Sequence, residues 1–127
     1  MSLFAIADLH LSLGTNKPMD AFPGWNGYVR RLEDNWRRLV ADGDTVVVAG
    51  DVSWGMSLEQ AGADLAFLHS LPGRKILMKG NHDYWWTTRR KMDAYLEEHG
   101  LTSVSILHND AYTVDDSLAV CGTRGWF

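Results

Sequence analysis

Three short apolar runs, each followed at once by a cluster of polar residues, limit the folds open to this sequence more than any other feature. The runs are LFAIA at residues 3–7, TVVVA at 45–49 and KILM at 75–78. They do not alternate apolar with polar residues, and short unbroken apolar runs are typical of parallel strands that are buried on both faces. We therefore predict three parallel strands inside a sheet.

The segments between and after these runs have the apolar spacing of amphipathic helices, with apolar residues recurring at intervals of three and four. Helices are predicted within residues 25–43, 57–73 and 84–99. Ser57 and Gln60 are spaced as a capping box at the start of the second helix. The predicted order is therefore βαβαβα.

Three further strand-like stretches follow, SVSILH, AYTV and SLAVCG. Turns are predicted at Asn109-Asp110 and Asp115-Asp116, because Asn and Asp favour chain reversal. Alternating strands and helices of this kind predict an α/β fold with a parallel core. A length of 127 residues fits one unit, so residues 1–127 are interpreted as a single domain.

The polar clusters follow the carboxyl ends of the three predicted strands. Asp8 and His10 come after the first run, Asp51 after the second and Asn81 after the third. These strand ends share one edge of a parallel sheet, so we expect the four side chains to converge there. On an extended chain, Asp8 and His10 project to the same side. Carboxylate, imidazole and amide ligands suit Mn, Fe, Zn or similar ions.

Two such ions about 3.5 to 4 Å apart can hold and activate a phosphoryl group. His82 would stand beside them as a proton donor to the leaving group, with Asp83 fixing the tautomer of its ring. A simple turn at Gly80-Asn81 is the alternative for this segment taken alone. The joint placement of three polar clusters after three strands favours the metal site.

The three clusters together resemble the motifs of a known family. The stretches are DLH, GDVSWGM and GNHDYWW, in that order. They are similar to the first three motifs of the calcineurin-like metallophosphoesterases, and more closely to a bacterial subgroup of predicted phosphohydrolases. The resemblance implies a layered fold and a two-metal hydrolase of phosphoric esters. It assigns Asp8 and His10 to the first ion, Asp51 to a bridge, Asn81 to the second ion, and His82 with Asp83 to the chemistry.

The family pattern continues with two histidine motifs that this sequence does not contain. His69, His99 and His108 lie outside such motifs and are interpreted as structural. The resemblance therefore implies the N-terminal part of a metallophosphoesterase domain, with its second half absent, one side of its core exposed and its metal site incomplete. The rival hypothesis is a noncatalytic domain that binds a partner, or dimerises, through this open face.

Composition narrows the classes of partner. The formal net charge of −4 argues against a nucleic-acid binder with a basic surface, and no apolar stretch approaches the roughly 20 residues of a membrane span. Cys121 is the single cysteine, and no charged and apolar leader begins the sequence, so a cytoplasmic setting is expected. The expected partner is a phosphate ester, and a monoester, a diester and a phosphoprotein fit equally well. Without a Gly-x-Gly-x-x-Gly or P-loop pattern, a nucleotide-binding module is disfavoured.

Overall fold

The computed structural model describes residues 1–126 and confirms the predicted α/β fold. Four parallel strands lie side by side in chain order: β1 Leu3–Ile6, β2 Thr45–Val48, β3 Arg74–Leu77 and β4 Val104–Ile106. The helices are α1 Tyr28–Leu39, α2 Leu58–Ser70 and α3 Arg89–Glu98, with a short 3-10 helix at Met19–Ala21. The strands β5 Asp110–Asp115 and β6 Leu118–Gly122 form a separate antiparallel hairpin. No helix within residues 1–126 has the length and apolar character to cross a bilayer.

Side-chain caps mark the starts of α2 and α3. Ser57 caps α2, because its hydroxyl accepts a hydrogen bond from the Gln60 N–H at 3.3 Å. The Gln60 side chain accepts from the backbone of Met56 rather than from Ser57, so the capping box is only half formed. Helix α3 begins at Arg89, later than predicted, with Thr88 as its cap. The residues before Thr88 form turns instead.

The sheet separates two apolar layers. Val46 and Val48 of β2 pack in the main core, whose helix side includes Trp36, Leu65 and Met92. Val47 of β2 packs with Ile76 and Leu107 in a smaller core that the hairpin covers through Tyr112 and Val120. The prediction that the second and third runs are buried on both faces is confirmed.

The first run differs from this prediction, because β1 is an edge strand. Leu3 is 41% exposed and Ala5 is exposed, while Phe4 and Ile6 are half-buried against the helix layer. Sheet order 1-2-3-4 leaves β1 with β2 as its one strand partner within residues 1–126. Its exposed edge makes the sheet open on this side.

The two ends of β5 differ from the predicted turns at Asn109-Asp110 and Asp115-Asp116. Asp110 is the first residue of β5 and Asp115 is the last, so each belongs to the strand rather than to a turn. Asn109 takes a left-handed conformation with φ 53°, and the Asp115 carboxylate accepts a hydrogen bond from the Ser117 N–H at 2.7 Å. Local side-chain bonding therefore accompanies the second reversal, whereas the first is made by the left-handed backbone of Asn109.

Lys75 is a fully buried cation in β3. Its Nζ donates hydrogen bonds to the carbonyl of Leu71 at 2.5 Å and to the carbonyl of Gly73 at 2.6 Å. Both carbonyls follow the last turn of α2, where backbone acceptors lack helical partners. Burial lowers the pKa of Lys75 to about 8. The side chain thus joins the end of α2 to the centre of the sheet.

We predict that Lys75→Met lowers the free energy of unfolding by about 2 kcal/mol, because one buried and one partly buried carbonyl lose their donor. The loss should grow as pH rises from about 8 to 10.5, the range in which the unfolded lysine holds its proton and the folded one does not. Urea denaturation at several pH values measures this difference. The exposed Lys91→Met is the control and should change stability by less than about 0.5 kcal/mol. A difference that shrinks with rising pH would contradict the prediction.

Candidate metal centre

The loops that follow β1 and β2 run side by side. The Asp8 N–H donates to the Gly50 carbonyl at 3.0 Å, and the His10 N–H donates to the Asp51 carbonyl at 2.9 Å. A further bridge pairs Leu11 with Ser53 in the parallel sense. These bonds extend the pairing of the two strands and hold Asp8, His10 and Asp51 in a fixed relation.

Asp8, His10 and Asp51 form a compact cluster of candidate ligands. One ligand atom from each lies within 4.8 Å of the others. His10 Nε2 is 3.8 Å from Asp8 Oδ1 and 3.6 Å from Asp51 Oδ2. The Asp8 side chain is 66% exposed and that of Asp51 only 9% exposed. The cluster therefore opens to solvent on the Asp8 side and has Asp51 as its buried base.

The backbone of this cluster is left-handed at each of the three residues. The φ angles are 59° at Asp8, 45° at His10 and 51° at Asp51. The extended backbone expected for Asp8 and His10 is therefore wrong, because β1 ends at Ile6 and the loop turns instead, but the two side chains still lie together, 3.8 Å apart. Residues other than glycine seldom adopt these angles, and such outliers concentrate at functional sites.

The loop after β3 brings His82 onto the same carboxylate. His82 Nδ1 is 3.0 Å from Asp51 Oδ2, and the His82 N–H donates to Asp51 Oδ1 at 2.9 Å. Burial acts to raise the pKa of Asp51, but the hydrogen bonds from His82 outweigh it and the pKa is lowered. Asn81 precedes His82 in this loop and is exposed. Asp51 is thus ionised and shared by two imidazoles.

Two glycines let the loops after β2 and β3 touch. A Cβ atom on Gly80 would lie 2.1 Å from Asp51 Oδ1 and 2.2 Å from the Asp51 nitrogen. A Cβ atom on Gly50 would lie 2.8 Å from the Gly80 Cα. Any side chain at Gly80 would therefore displace the central carboxylate.

Contrary to the prediction from the sequence, the Asp83 carboxylate does not contact the His82 ring but lies among backbone N–H groups. Its carboxylate accepts four hydrogen bonds, from the N–H groups of Val52, Ser53 and Gly80 and from the indole Nε1 of Trp85, at 2.7 to 3.2 Å. Burial raises its pKa, although these hydrogen bonds oppose the shift. The ring of His82 contacts Asp51 instead, so the expectation that Asp83 fixes the His82 tautomer is corrected. Asp83 joins the loops after β2 and β3.

Asp64 is, like Asp83, a buried carboxylate that bonds to the loops, and it was not predicted from the sequence. It lies on α2, is fully buried, and accepts hydrogen bonds from Ser53 Oγ at 2.5 Å and from the Leu13 N–H at 2.8 Å. Burial raises the pKa of Asp64 against the effect of these two bonds. The available signal was a carboxylate on the apolar face of the second predicted helix. Asp64 and Asp83 both bond to Ser53, so together they connect all three loops.

Aromatic rings line one side of the cluster. The Trp54 ring centroid is 5.0 Å from that of His10 and 5.3 Å from that of His82. Lys17 Nζ lies 5.6 Å from the Trp54 ring centroid. The Tyr28 hydroxyl donates to the His10 carbonyl at 2.6 Å, and burial together with Asp20 and Asp64 raises the pKa of Tyr28 to about 12. These contacts make one wall of the cluster aromatic and fix the His10 backbone.

The other histidines lie elsewhere in the fold. His69 Nδ1 is 2.8 Å from Ser103 Oγ, and His99 Nδ1 is 2.9 Å from the Tyr95 carbonyl. His108 lies beside Trp86, with 6.1 Å between their ring centroids. None of the three joins the cluster of Asp8, His10 and Asp51 found within residues 1–126.

The chain matches the sequence model of one protein family and is similar in fold to one solved structure. The sequence model of the calcineurin-like phosphoesterases matches residues 1–124. The crystal structure of AQ665, a protein of unknown function from Aquifex aeolicus, is similar with a TM-score of 0.55 and 19% identity, and the match covers 94% of this chain and 58% of that one. At this identity the likeness concerns the fold alone. No curated protein matches the chain.

We predict that Asp64→Ala and Ser53→Ala are energetically coupled. Each should lower the free energy of unfolding by about 2 kcal/mol, because each leaves a buried hydrogen-bonding group without its partner. The double variant should cost at least about 1 kcal/mol less than the sum, since the shared bond is lost only once. Urea denaturation of the four proteins gives the coupling. Asp34→Ala, at an exposed pair with Arg30, is the control and should change stability by less than about 1 kcal/mol. Strict additivity would show that the bond contributes nothing.

Proposed function

Because the chain belongs to the calcineurin-like phosphoesterase family, we propose that it supplies the N-terminal part of a metal-dependent hydrolase of phosphoric esters. The observation that carries this proposal is the cluster of Asp8, His10 and Asp51, whose ligand atoms lie within 4.8 Å of one another. The match over 58% of AQ665 supports the interpretation of residues 1–127 as part of a larger domain.

The donor set fits divalent cations. Asp8 and His10 would hold the first ion, Asp51 would bridge, and Asn81 would contribute its amide oxygen to the second. Two carboxylates and an imidazole favour Mn, Fe, Zn or similar ions over soft ones. Ions bound there would supply charge neutralisation at a phosphoryl group and activation of water. The ionised, buried Asp51 carboxylate, which already contacts two imidazoles, suits the bridging position.

His82 is proposed as the proton donor to the leaving group. Its Nδ1 contacts Asp51 at 3.0 Å, which leaves the other ring nitrogen for proton transfer. The side chain is 40% exposed, so a substrate can reach it. Asp83 is proposed to act through the backbone, because its four hydrogen bonds hold the loops that carry Asp51 and His82. Residues that hydrogen-bond to the groups around metal ligands orient those ligands.

The expected substrate is a phosphate ester, and the expected rate of this chain alone is low. The family's two further histidine motifs are not in the sequence, and the resemblance leaves the first ion short of one ligand and the second short of two. A two-metal mechanism depends on fixed coordination of both ions. We therefore propose weaker metal binding and slower hydrolysis than a complete site would give.

A noncatalytic binding domain is the second candidate, and the open side of β1 favours it. Leu3 is exposed on one face of this edge strand, and on the other face a groove of about 160 Å³ lies between β1 and α1, lined by Phe4, Ile6, Leu32 and Trp36. Self-association through this side would cover the exposed apolar surface. This candidate requires no bound ion, so metal binding separates it from the hydrolase.

We predict that the chain, freed of metal by a chelator and then dialysed, binds Mn²⁺ in a calorimetric titration. Asp51→Asn should weaken binding by at least about tenfold, because it removes the charge at the base of the cluster. The exposed Asp42→Asn is the matched control and should bind as the unsubstituted chain does. Failure of the unsubstituted chain to bind Mn²⁺ would favour the noncatalytic candidate.

We predict that His82→Gln, in a protein that contains the complete domain, keeps its Mn²⁺ but slows hydrolysis of phenyl phosphate by about 10²- to 10⁴-fold, the usual contribution of a general acid. The loss should be smaller for 4-nitrophenyl phosphate, whose leaving group needs less protonation. Both rates are measured with protein in excess over ester, so that slow turnover is visible. An equal loss for the two esters would assign His82 to binding instead of proton transfer.

A further inference from the structure

A cleft lined by cations and aromatic rings lies beside the loop that carries Asn81 and His82. Its volume is about 490 Å³, within the range of roughly 300 to 1,000 Å³ typical of small-molecule sites. The residues that matter for its chemistry are Lys79, Trp86, His108, Thr123, Arg124 and Trp126. They come from the loops after β3, β4 and β6. We call this feature the basic cleft.

The charge of the basic cleft is opposite to that of the whole chain. The sequence holds 16 acidic residues against 12 lysines and arginines, yet no Asp or Glu lines the cleft. Neither Lys79 nor Arg124 forms an ion pair with any of residues 1–126. Two cations without carboxylate partners create a local positive potential that attracts an anion.

Both cations are held by the same indole. Lys79 Nζ lies 4.4 Å from the Trp126 ring centroid, and the Arg124 guanidinium lies 5.1 Å from it. A cation over an aromatic face keeps its N–H groups free, and charge-assisted hydrogen bonds to a phosphate are stronger than the ring contact. Trp126 thus positions the two cations without using their hydrogen-bonding capacity.

The rings of the basic cleft suit a planar group. Trp86 forms part of its wall, and the His108 ring packs edge-on against Trp86 at 6.1 Å. Tryptophan faces stack on flat rings and bury a large apolar area. Cations and indoles in one cleft therefore match a ligand that is both anionic and aromatic.

The basic cleft and the candidate metal centre share a loop. Lys79 precedes Gly80, and Trp86 follows four residues after His82. A substrate whose ester group lies at Asp51 and His82 can therefore extend along this loop towards Lys79. We propose that the basic cleft binds the part of the substrate that does not react, and that this part is a nucleoside monophosphate unit, so that the substrate carries a second phosphoryl group that reaches Asp51 and His82. AMP represents the unit that the cleft binds. Its role as a substrate site rests on the proposed hydrolase function, whereas ligand binding itself does not.

The test is a calorimetric titration of the chelator-treated chain with AMP, inorganic phosphate and adenosine. AMP should bind with a Kd below about 1 mM, and phosphate and adenosine should each bind at least about tenfold more weakly, because each offers only half of the recognised chemistry. Lys79→Gln and Arg124→Gln should each weaken AMP binding by about tenfold through loss of a charged contact. Arg90→Gln, at an exposed cation on α3, is the matched control and should leave binding unchanged.

The outcomes separate this inference from the proposed function. No AMP binding below about 1 mM, or binding that neither Lys79→Gln nor Arg124→Gln weakens, overturns the inference. Phosphate that binds as tightly as AMP overturns the nucleoside class. Because this titration uses no metal, its result is independent of Mn²⁺ binding, which tests the hydrolase. Circular dichroism of each variant establishes that it is folded before binding is compared.

Discussion

The contact between the backbones of Gly50 and Gly80 is the constraint on which the rest of the site depends. An added Cβ at Gly50 would come within 2.8 Å of Gly80, and one at Gly80 would come within 2.1 Å of the Asp51 carboxylate. Two neighbouring strands of a sheet are therefore continued by loops that remain in contact beyond the last strand residue. This approach places His82 on Asp51, and it requires residues that have no side chain.

Polar groups inside the fold maintain this approach. Asp64 and Asp83 are both fully buried, and each accepts a bond from Ser53, one from its hydroxyl and one from its N–H. Buried carboxylates are unfavourable unless their hydrogen bonds are made, and these two are satisfied by groups from all three loops. The network makes a single loop arrangement more stable than its alternatives, so the candidate ligands are held in place by the protein before any ion arrives.

Much of the fold could be predicted from the sequence, because apolar runs and helical spacing report burial directly. The second and third runs form the buried strands Thr45–Val48 and Arg74–Leu77, whereas the run at 3–7 forms an edge strand. Composition alone does not distinguish an edge strand from a buried one. The proximity of Asp8, His10 and Asp51 followed from strand-end placement, but their left-handed backbone did not, since no local pattern requires it. The direction in which the Asp83 carboxylate points depends on hydrogen-bond donors up to 31 residues away in the sequence. Local sequence periodicity does not reveal such distant contacts.

The left-handed backbone at Asp8, His10 and Asp51 has a consequence for how this sequence tolerates change. Each residue holds a conformation that costs on the order of 1 kcal/mol for a side chain with a Cβ and almost nothing for glycine. At the exposed Asp8, glycine would relieve this strain and lose few contacts, whereas Asp51 also accepts two hydrogen bonds from His82. Selection for thermal robustness alone would therefore favour glycine at Asp8, and a carboxylate there is a compromise between stability and the proposed chemistry.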